Sequence, residues 1–210
     1  MSIKLNAQSG GSVALDAPTQ TTSSADLVFK LPVADGSANQ VLKTDGSKNL
    51  SFGAGGLFSS YAIICDQKTA GTDAGTFSSG TWVTRDLNTE LADPDGIVSI
   101  SNNKFTLQAG TYLVIASAPA FRVNRHMIRL MNETDGTAVE YGTSKHSDNG
   151  DQTGNTSTLK ARFTIAGAKE FEISHRCQST ENTNGLGVNS NQSFTVPNEK
   201  YTFVEIYKEA

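Results

Sequence analysis

The stretch "DPDGIVSISNNKFTLQAGTYLVIASAPAF", residues 93–121, decides the fold of this chain. Asp-Pro-Asp-Gly is a typical turn sequence, because the ring of Pro94 fixes its φ angle and Gly96 can adopt a positive φ angle. The runs that follow are short, rich in β-branched and aromatic residues, and separated by further turn residues. The same spacing continues to the C-terminus with no helical pattern, so residues 57–210 are predicted to form an antiparallel β-sandwich within an all-β chain.

The long run of this stretch is apolar on both of its faces. Alternation places Leu113 and Ile115 opposite Tyr112 and Val114, and the last strand repeats the pattern. A strand that is apolar on both faces needs cover on both, and a two-sheet sandwich covers only one. We therefore predict that the head associates with other copies of the same chain. The residues assigned to the interface between copies are Tyr112, Val114, Phe203, Tyr207 and Arg125.

Two later strands alternate cleanly and indicate one buried and one wet face. The residues predicted to be buried are Leu159, Ala161, Phe163 and Ile165 in one strand and Phe171, Ile173, His175 and Cys177 in the other. The residues predicted to be wet in the second strand are Glu172, Ser174, Arg176 and Gln178.

The chain before the sandwich carries two Asp-Gly pairs in "LPVADGSANQVLKTDGSKNLSF", residues 31–52. Asp-Gly between extended runs is a strong signal for a hairpin turn, but such ribbons with few apolar residues are marginal alone. Residues 1–56 are therefore predicted to be an extended docking and trimerisation arm. Its turns are expected at Asp35–Gly36 and Asp45–Gly46, and its hinge at Gly53, Gly55 and Gly56.

Composition excludes several classes of function. Of 210 residues, 37% are apolar and only 18% are charged, which favours strands and turns over helices. A net charge of −4 gives no basic face for phosphates, so no nucleic-acid partner is expected. Because no run resembles a signal peptide or a membrane span, we expect synthesis in the cytoplasm and no membrane partner.

No catalytic motif is present, so we expect neither an enzyme nor a cofactor. His175 is predicted to be a hydrogen-bonded core residue, and His146 to be solvated. His126 follows Arg125, and a cationic neighbourhood lowers the pKa of a histidine and makes it a poor metal ligand. Cys65 and Cys177 are predicted to be buried thiols, and whether they pair is left open.

Two features allow more than one interpretation. Asp93 and Asp95, with Glu90, could offer oxygens to calcium, but their sequence is also that of an ordinary turn, which we favour. The arginines Arg122, Arg125 and Arg129 could bind an anionic sugar. We favour ion pairs across a subunit boundary, since the guanidinium fork bonds carboxylates bidentately; the candidate partners are Asp86, Glu90 and Glu133.

The sequence carries two resemblances. With Phe105, Gly110 and Tyr112 leading into the central strand and Phe203 and Tyr207 in the closing one, the head resembles the trimeric jelly roll of tumour-necrosis-factor ligands and complement globular heads. "LPVADGSANQVLKTDGSKNLSFG" is similar to segments found in bacteriophage tail fibres and other virion appendages, with Lys48 in place of a usual glycine.

These resemblances imply a bacteriophage virion protein with a short N-terminal arm and a homotrimeric jelly-roll head, and with a non-enzymatic structural role. The leading interpretation is a trimeric capsid decoration protein that docks through its arm on the major capsid protein or another virion protein. The alternative is the receptor-binding tip of a short tail fibre, whose loops "NGDQTGN" and "TENTNGLG" would bind a host surface glycan. A polysaccharide-cleaving enzyme would need a pair of carboxylates in a groove, and nothing in the sequence points to one.

Overall fold

The computed structural model describes residues 3–6, 12–15, 18–21, 26, 28–37, 40–190 and 195–210. The chain divides into two units, residues 1–55 and 56–210. The strands of the first unit are β1 (Ile3–Asn6), β2 (Ser12–Leu15), β3 (Gln40–Thr44) and β4 (Leu50–Ala54). Among the described residues, no helix has the length and apolar character needed to cross a membrane.

The second unit is the head, and it is built from strands alone within the described residues. They are β5 (Phe58–Thr69), β6 (Val83–Thr84), β7 (Thr89–Ala92), β8 (Val98–Ser101), β9 (Lys104–Leu107), β10 (Gly110–Phe121), β11 (Asn124–Asn132), β12 (Thr137–Tyr141), β13 (Lys145–Ser147), β14 (Gly154–Ile165), β15 (Lys169–Cys177) and β16 (Asn198–Glu209).

The strand order is that of a jelly roll. The first sheet runs β14-β10-β16-β5-β7 and the second runs β12-β11-β15-β9-β8, with β13 paired to β11 and β6 to β15. Successive long strands alternate between the sheets, β10 in the first, β11 in the second, β14 in the first, β15 in the second and β16 in the first. This crossing pattern makes the double-sheet jelly roll, so the predicted fold class is confirmed.

The core lies between the two sheets. β10 contributes Tyr112 and Val114, β16 contributes Val204 and Ile206, and all four are fully buried. The facing residues Ile128, Leu130, Phe171 and Ile173 of β11 and β15 are equally buried. Burying side chains of this size is the main stabilising term of a sandwich, at about 1.5–3 kcal/mol each.

Strand β15 is buried on both faces, not on one as the alternation predicted. Glu172 and Ser174 were expected to be wet but are 7% and 0% exposed. The Glu172 carboxylate accepts hydrogen bonds from the hydroxyls of Thr84 (2.7 Å) and Ser174 (2.6 Å). Segment β6 pairs with this part of β15 and supplies the cover, which the sequence of β15 cannot reveal.

The first unit contains a hairpin at the second Asp-Gly pair. β3 and β4 are joined by residues 45–49, where Gly46 and Lys48 have φ of 77° and 71°. The Asp45 carboxylate accepts hydrogen bonds from the Ser47 amide (2.7 Å) and from both the amide (3.2 Å) and the side chain (2.7 Å) of Asn49. The Asn49 side chain, and then the Ser47 amide, lower the pKa of this carboxyl.

The hairpin turn predicted at Asp35–Gly36 is wrong. The described residues 28–37 contain no strand, and Lys30 pairs with Asn49 in parallel, so this segment does not fold back on β3. Gly36 is needed for a different reason, since a Cβ there would lie 2.6 Å from the Phe52 ring.

The predicted three-glycine hinge also changes. Gly53 is a residue of β4 and pairs with Val41, so it is part of the hairpin. Only Gly55 and Gly56 lie where the two units divide, one residue from the boundary predicted from the sequence.

Candidate functional site

The outer face of the first sheet is apolar along its centre. Leu113 of β10 lies opposite Tyr207 of β16, which lies opposite Tyr61 of β5. Tyr61 is 44% exposed, and Leu113, Ile115 and Tyr207 are half-buried in the single chain. The large apolar side chains of this surface, which are typical of a protein core, are therefore left partly exposed to solvent in the single chain.

Two of the predicted interface residues are not on this face. Tyr112 and Val114 are fully buried between the sheets, and the Tyr112 hydroxyl donates to the Gln108 carbonyl (3.0 Å). They cannot contact another copy without opening the core, so their assignment is wrong. Alternation separated the two faces of β10 but did not tell which one meets the second sheet; the outward residues are Leu113 and Ile115.

The predicted residues Phe203 and Tyr207 do face outward on β16, where both are half-buried. Charged and polar groups border them, with Arg162 bonding the Glu209 carboxylate through two nitrogens at 2.6 and 2.8 Å. The Tyr207 hydroxyl donates to the Glu205 carboxylate (2.7 Å), which raises the pKa of Tyr207.

Arg125 lies on the other sheet, so it does not share this face. It lines an open cavity of about 600 Å³ together with Trp82, which precedes β6, and with residues of β11, β13, β14 and β15. The lining side chains that matter below are Trp82, Arg125, Met127, Lys145, His146 and Arg176. The register explains part of this gathering, since Arg125 lies opposite His146 and Met127 lies opposite Arg176.

The cations at this cavity have no carboxylate partner among the described residues. Arg125 donates only to the Gln178 side-chain oxygen (3.3 Å). Arg129, next to the cavity, places its guanidinium 4.3 Å from the centre of the Trp82 ring and donates to the Ser174 hydroxyl (3.3 Å). Arg122, the third arginine of the predicted stripe, donates instead to the Asn149 carbonyl.

Two of the acids considered as partners for these arginines pair with lysines of the same chain. Asp86 pairs with Lys68, and Glu133 pairs with Lys104 at 3.0 Å. Ion pairs of the arginines across a subunit boundary stay a prediction.

A pair of buried histidines lies beneath the cavity. The Ser147 hydroxyl donates its hydrogen to the Ala120 carbonyl (3.1 Å). It therefore accepts a hydrogen bond from the Nε2–H group of His126 (3.1 Å). Nδ1 of His126 is then unprotonated and accepts from Nε2 of His175 (3.0 Å). Both imidazoles are neutral in this chain of bonds, and Nδ1 of His175 has no partner among the described residues.

Burial is the main reason why these histidines stay neutral. It lowers the pKa of His126 from 6.5 to about 4, and Arg85 adds to the effect. Burial, Arg85 and His126 together hold the pKa of His175 well below its usual value. The core assignment of His175 was correct. The pKa of His126 is lowered as predicted, but burial is the main cause, and the contributing cations are Arg85, His146 and Lys145 instead of the neighbouring arginines.

The Asp-Pro-Asp-Gly segment makes a turn. The Asp93 carboxylate accepts hydrogen bonds from the amides of Ile97 (2.8 Å) and Val98 (3.0 Å), and Gly96 has a φ of 63°. Asp95 accepts from the Ser60 hydroxyl (2.6 Å). With both Asp93 oxygens bonded to the backbone, the geometry is that of the turn interpretation, and the described residues contain no cluster suited to a metal ion.

The two cysteines are free and buried on different sheets. Burial raises the pKa of the Cys177 thiol to about 11 and also raises that of Cys65. Neither thiol is therefore activated as a nucleophile.

The two loops considered for glycan binding differ. Residues 150–155 are exposed, and Asn155 reaches the cavity wall. The second loop packs into the head, because Glu181 bridges to Phe77 and Leu186 is 9% exposed within a small cluster of apolar residues. That loop is therefore not an open binding surface over its whole length.

No family model matches this sequence, and no curated protein matches it. Among solved structures, the chain is similar to the globular domain of zebrafish complement 1qA protein (14% identity, TM-score 0.45, covering 71% of this chain and 96% of that one). It is also similar to murine APRIL (10%, 0.45, 71% and 98%) and to Eiger TNF from S. frugiperda (12%, 0.49, 71% and 92%). The fold assignment above depends on the strand order of this chain itself.

Proposed function

We propose that this chain is a non-enzymatic virion structural protein, a homotrimer that decorates a phage capsid. Residues 1–56 dock on the shell through the major capsid protein or another virion protein, and the jelly-roll head projects outward as a knob. The virion location is proposed because residues 31–53 resemble segments of virion appendage proteins. Three arms held together multiply a weak contact by avidity.

The observation that carries the trimer is the apolar outer face of the first sheet. The apolar strip consists of Leu113, Tyr207 and Tyr61, which lie side by side across three strands, and of Ile115 and Phe203 on the same face, with Glu205 between Phe203 and Tyr207 on β16. Contiguous apolar surface of this kind marks a protein contact. Identical copies present the same strip to one another around a symmetry axis, so a sister chain is the natural cover.

The arm supports docking through its own exposed apolar side chains. Val28, Leu31 and Val33 are 65%, 75% and 107% exposed, and Leu42 is 50% exposed. Side chains of this type gain about 1.5–3 kcal/mol each when they are fully buried, so a partner surface would stabilise the arm.

Immunogold labelling of virions with an antibody to the head tests the location. Gold distributed over the capsid is expected. Gold confined to the tail end would contradict the decoration role.

A truncated chain tests the arm. The protein without residues 1–55 is expected to remain a folded trimer by light scattering and to lose its attachment to virions lacking their own copy. Aggregation or a monomer mass would show that the arm belongs to the core of the assembly.

A second candidate function is favoured by the cavity on the second sheet. In this alternative the protein is the receptor-binding tip of a short tail fibre, and the head binds a host surface glycan. A rigid sandwich that exposes a cavity lined by arginines, an indole ring and polar loop residues is a suitable scaffold for such binding. Gold at the tail end is the result expected for this role.

A further inference from the structure

We propose that the cavity on the second sheet binds an acidic saccharide, with Arg125, Arg176 and Lys145 holding a sugar carboxylate and Trp82 packing against the sugar ring. This ligand assignment rests on the second candidate function, glycan recognition by the head.

Charge is the first argument. Outside the cavity, Lys68, Lys104, Arg162 and Lys169 of the head each pair with a carboxylate, whereas Lys160, Lys200 and Lys208 have no such pair among the described residues. In the cavity wall no such pair is present, and the chain nevertheless has a net charge of −4. Like charges that lie together without a counter-charge repel one another, so a bound anion would relieve the repulsion.

Two acids near the cavity do not pair with its cations. The pKa of the Asp148 carboxyl is lowered by hydrogen bonds from the amides of Asp151 (3.1 Å) and Gly150 (2.7 Å), and also by His146, which lies close to it. The Glu172 carboxylate is buried and accepts from Thr84 and Ser174, and the described contacts give it no cation partner. Arg176 and Arg125 are both exposed, so their guanidinium forks are free to bond a carboxylate bidentately.

The aromatic residue is the second argument. Trp82 is held in place because Arg129 lies over its ring at 4.3 Å and Tyr141 packs against it with ring centres 6.1 Å apart. A fixed indole ring beside Met127 offers an apolar surface to the C–H face of a pyranose, and the nearby Asn155 offers polar atoms to its hydroxyls. An apolar wall with a few placed polar groups is the usual construction of a small-molecule site.

Shape favours a saccharide over a nucleic acid. The volume of the cavity, about 600 Å³, lies in the range of sites for small ligands. Single-stranded nucleic acid is usually bound along an extended basic groove with several stacking aromatics, whereas this wall contains one tryptophan.

The test uses the full-length protein and its own reporter. Trp82 is the sole tryptophan of the chain, so its fluorescence reports on this cavity. We expect a saturable change on titration with trigalacturonate or sialyllactose. The neutral counterparts, the methyl ester of trigalacturonate and lactose, should bind at least about tenfold more weakly, since a charge-assisted hydrogen bond contributes that much.

Matched variants locate the ligand. The Arg125→Gln/Arg176→Gln double variant, altered only at exposed side chains, should lose at least about tenfold in affinity. Arg176→Lys should keep part of it. Lys200→Gln removes one positive charge from an exposed position on the first sheet and should bind as the original protein does.

Four results would overturn the proposal. They are no saturable response to either acidic saccharide at millimolar concentration, equal binding of the neutral counterparts, unchanged affinity in the double variant, and tighter binding of an oligothymidylate than of the saccharides. Gold labelling decides the location separately. Tail-end label without saccharide binding would remove this ligand while leaving a receptor-binding role in place.

Discussion

At the scale of single residues, Arg85 is the most consequential polar group of the head. Its guanidinium is fully buried and donates to the Thr202 hydroxyl (2.8 Å) and to the carbonyls of Pro119 (3.3 Å) and Leu186 (2.8 Å). Burial lowers the pKa of Arg85 to about 10, opposed by the charges of Asp66 and Asp86, so it stays protonated at neutral pH. One side chain thereby links the segment after β6 to β10 and β16 of the other sheet.

Replacing Arg85 should therefore destabilise the head strongly. Arg85→Ala leaves a void, and the buried oxygens that Arg85 bonds lose their donor. We therefore expect the free energy of unfolding, measured with urea, to fall by about 3 kcal/mol or more. The matched control is Arg125→Ala, which changes an exposed arginine and should alter stability by less than about 0.5 kcal/mol. Equal effects of the two substitutions would contradict this role.

The buried histidine pair should make the head sensitive to acid. Because the pKa of His126 is about 4 in the folded chain and 6.5 in its ordinary state, the unfolded chain takes up the proton first as the pH falls. The contribution of His126 to the free energy of unfolding is fully present above pH 6.5. It is lost progressively as the pH falls to 4, by roughly 3 kcal/mol for His126 alone. Urea unfolding at a series of pH values measures this slope.

Substitutions identify the histidines responsible. The His126→Gln/His175→Gln double variant should flatten the dependence of stability on pH between 6.5 and 4. His146→Gln, at an exposed histidine of the same region, should leave it unchanged. A slope that survives in the double variant would assign the acid sensitivity to other groups.

At the scale of elements, the β3–β4 hairpin carries a measurable strain. Lys48 sits at a φ of 71°, a conformation that a side chain disfavours and that glycine adopts freely. Lys48→Gly should stabilise the hairpin by about 1 kcal/mol, seen as slower hydrogen exchange of the amides in residues 40–54.

A second lysine of the same hairpin provides the control. Lys43 lies within β3 and pairs with Ser51, so Lys43→Gly should act in the opposite direction because glycine weakens a strand. If both substitutions speed exchange, the positive φ of Lys48 is not a source of strain.

The strands also show where alternation of apolar and polar residues predicts burial correctly and where it does not. The buried positions Phe171 and Ile173 of β15 and Leu159 and Ala161 of β14 agree with their alternation. The pattern failed for Glu172 and Ser174, because their cover comes from a segment of the chain almost 90 residues away in sequence, as the Thr84–Glu172 bond records.

At the scale of the whole molecule, the proposed trimer depends on the apolar strip on the first sheet. Leu113→Glu places a charge in the middle of this strip, and burial of an unpaired charge is strongly unfavourable. We expect the original protein to have the mass of a trimer in light scattering and this variant to have the mass of a monomer.

The control for this substitution is Ser101→Glu, at an exposed residue of β8 in the other sheet, which should remain a trimer. A monomeric original protein would remove the trimer from the proposal. A trimeric Leu113→Glu variant would move the contact to another face.

The sequence by itself determined the all-β class, the order of most strands and the alternation of buried residues. It could do so because turn chemistry and the two-residue period of a strand are local properties, readable from neighbouring positions. It also showed that β10 is apolar on both faces, which is the basis of the proposed association between copies.

Only the tertiary structure decided which face is which. Tyr112 and Leu113 are both apolar, and the one that meets the second sheet is set by how the strands cross, not by their composition. The same holds for Arg85, whose acceptors lie up to 117 positions away, and for Trp82, which meets Arg125 and Arg176 only through the pairing of β6, β11, β13 and β15. Contacts between distant segments depend on the path of the whole chain, and a local pattern carries no information about that path.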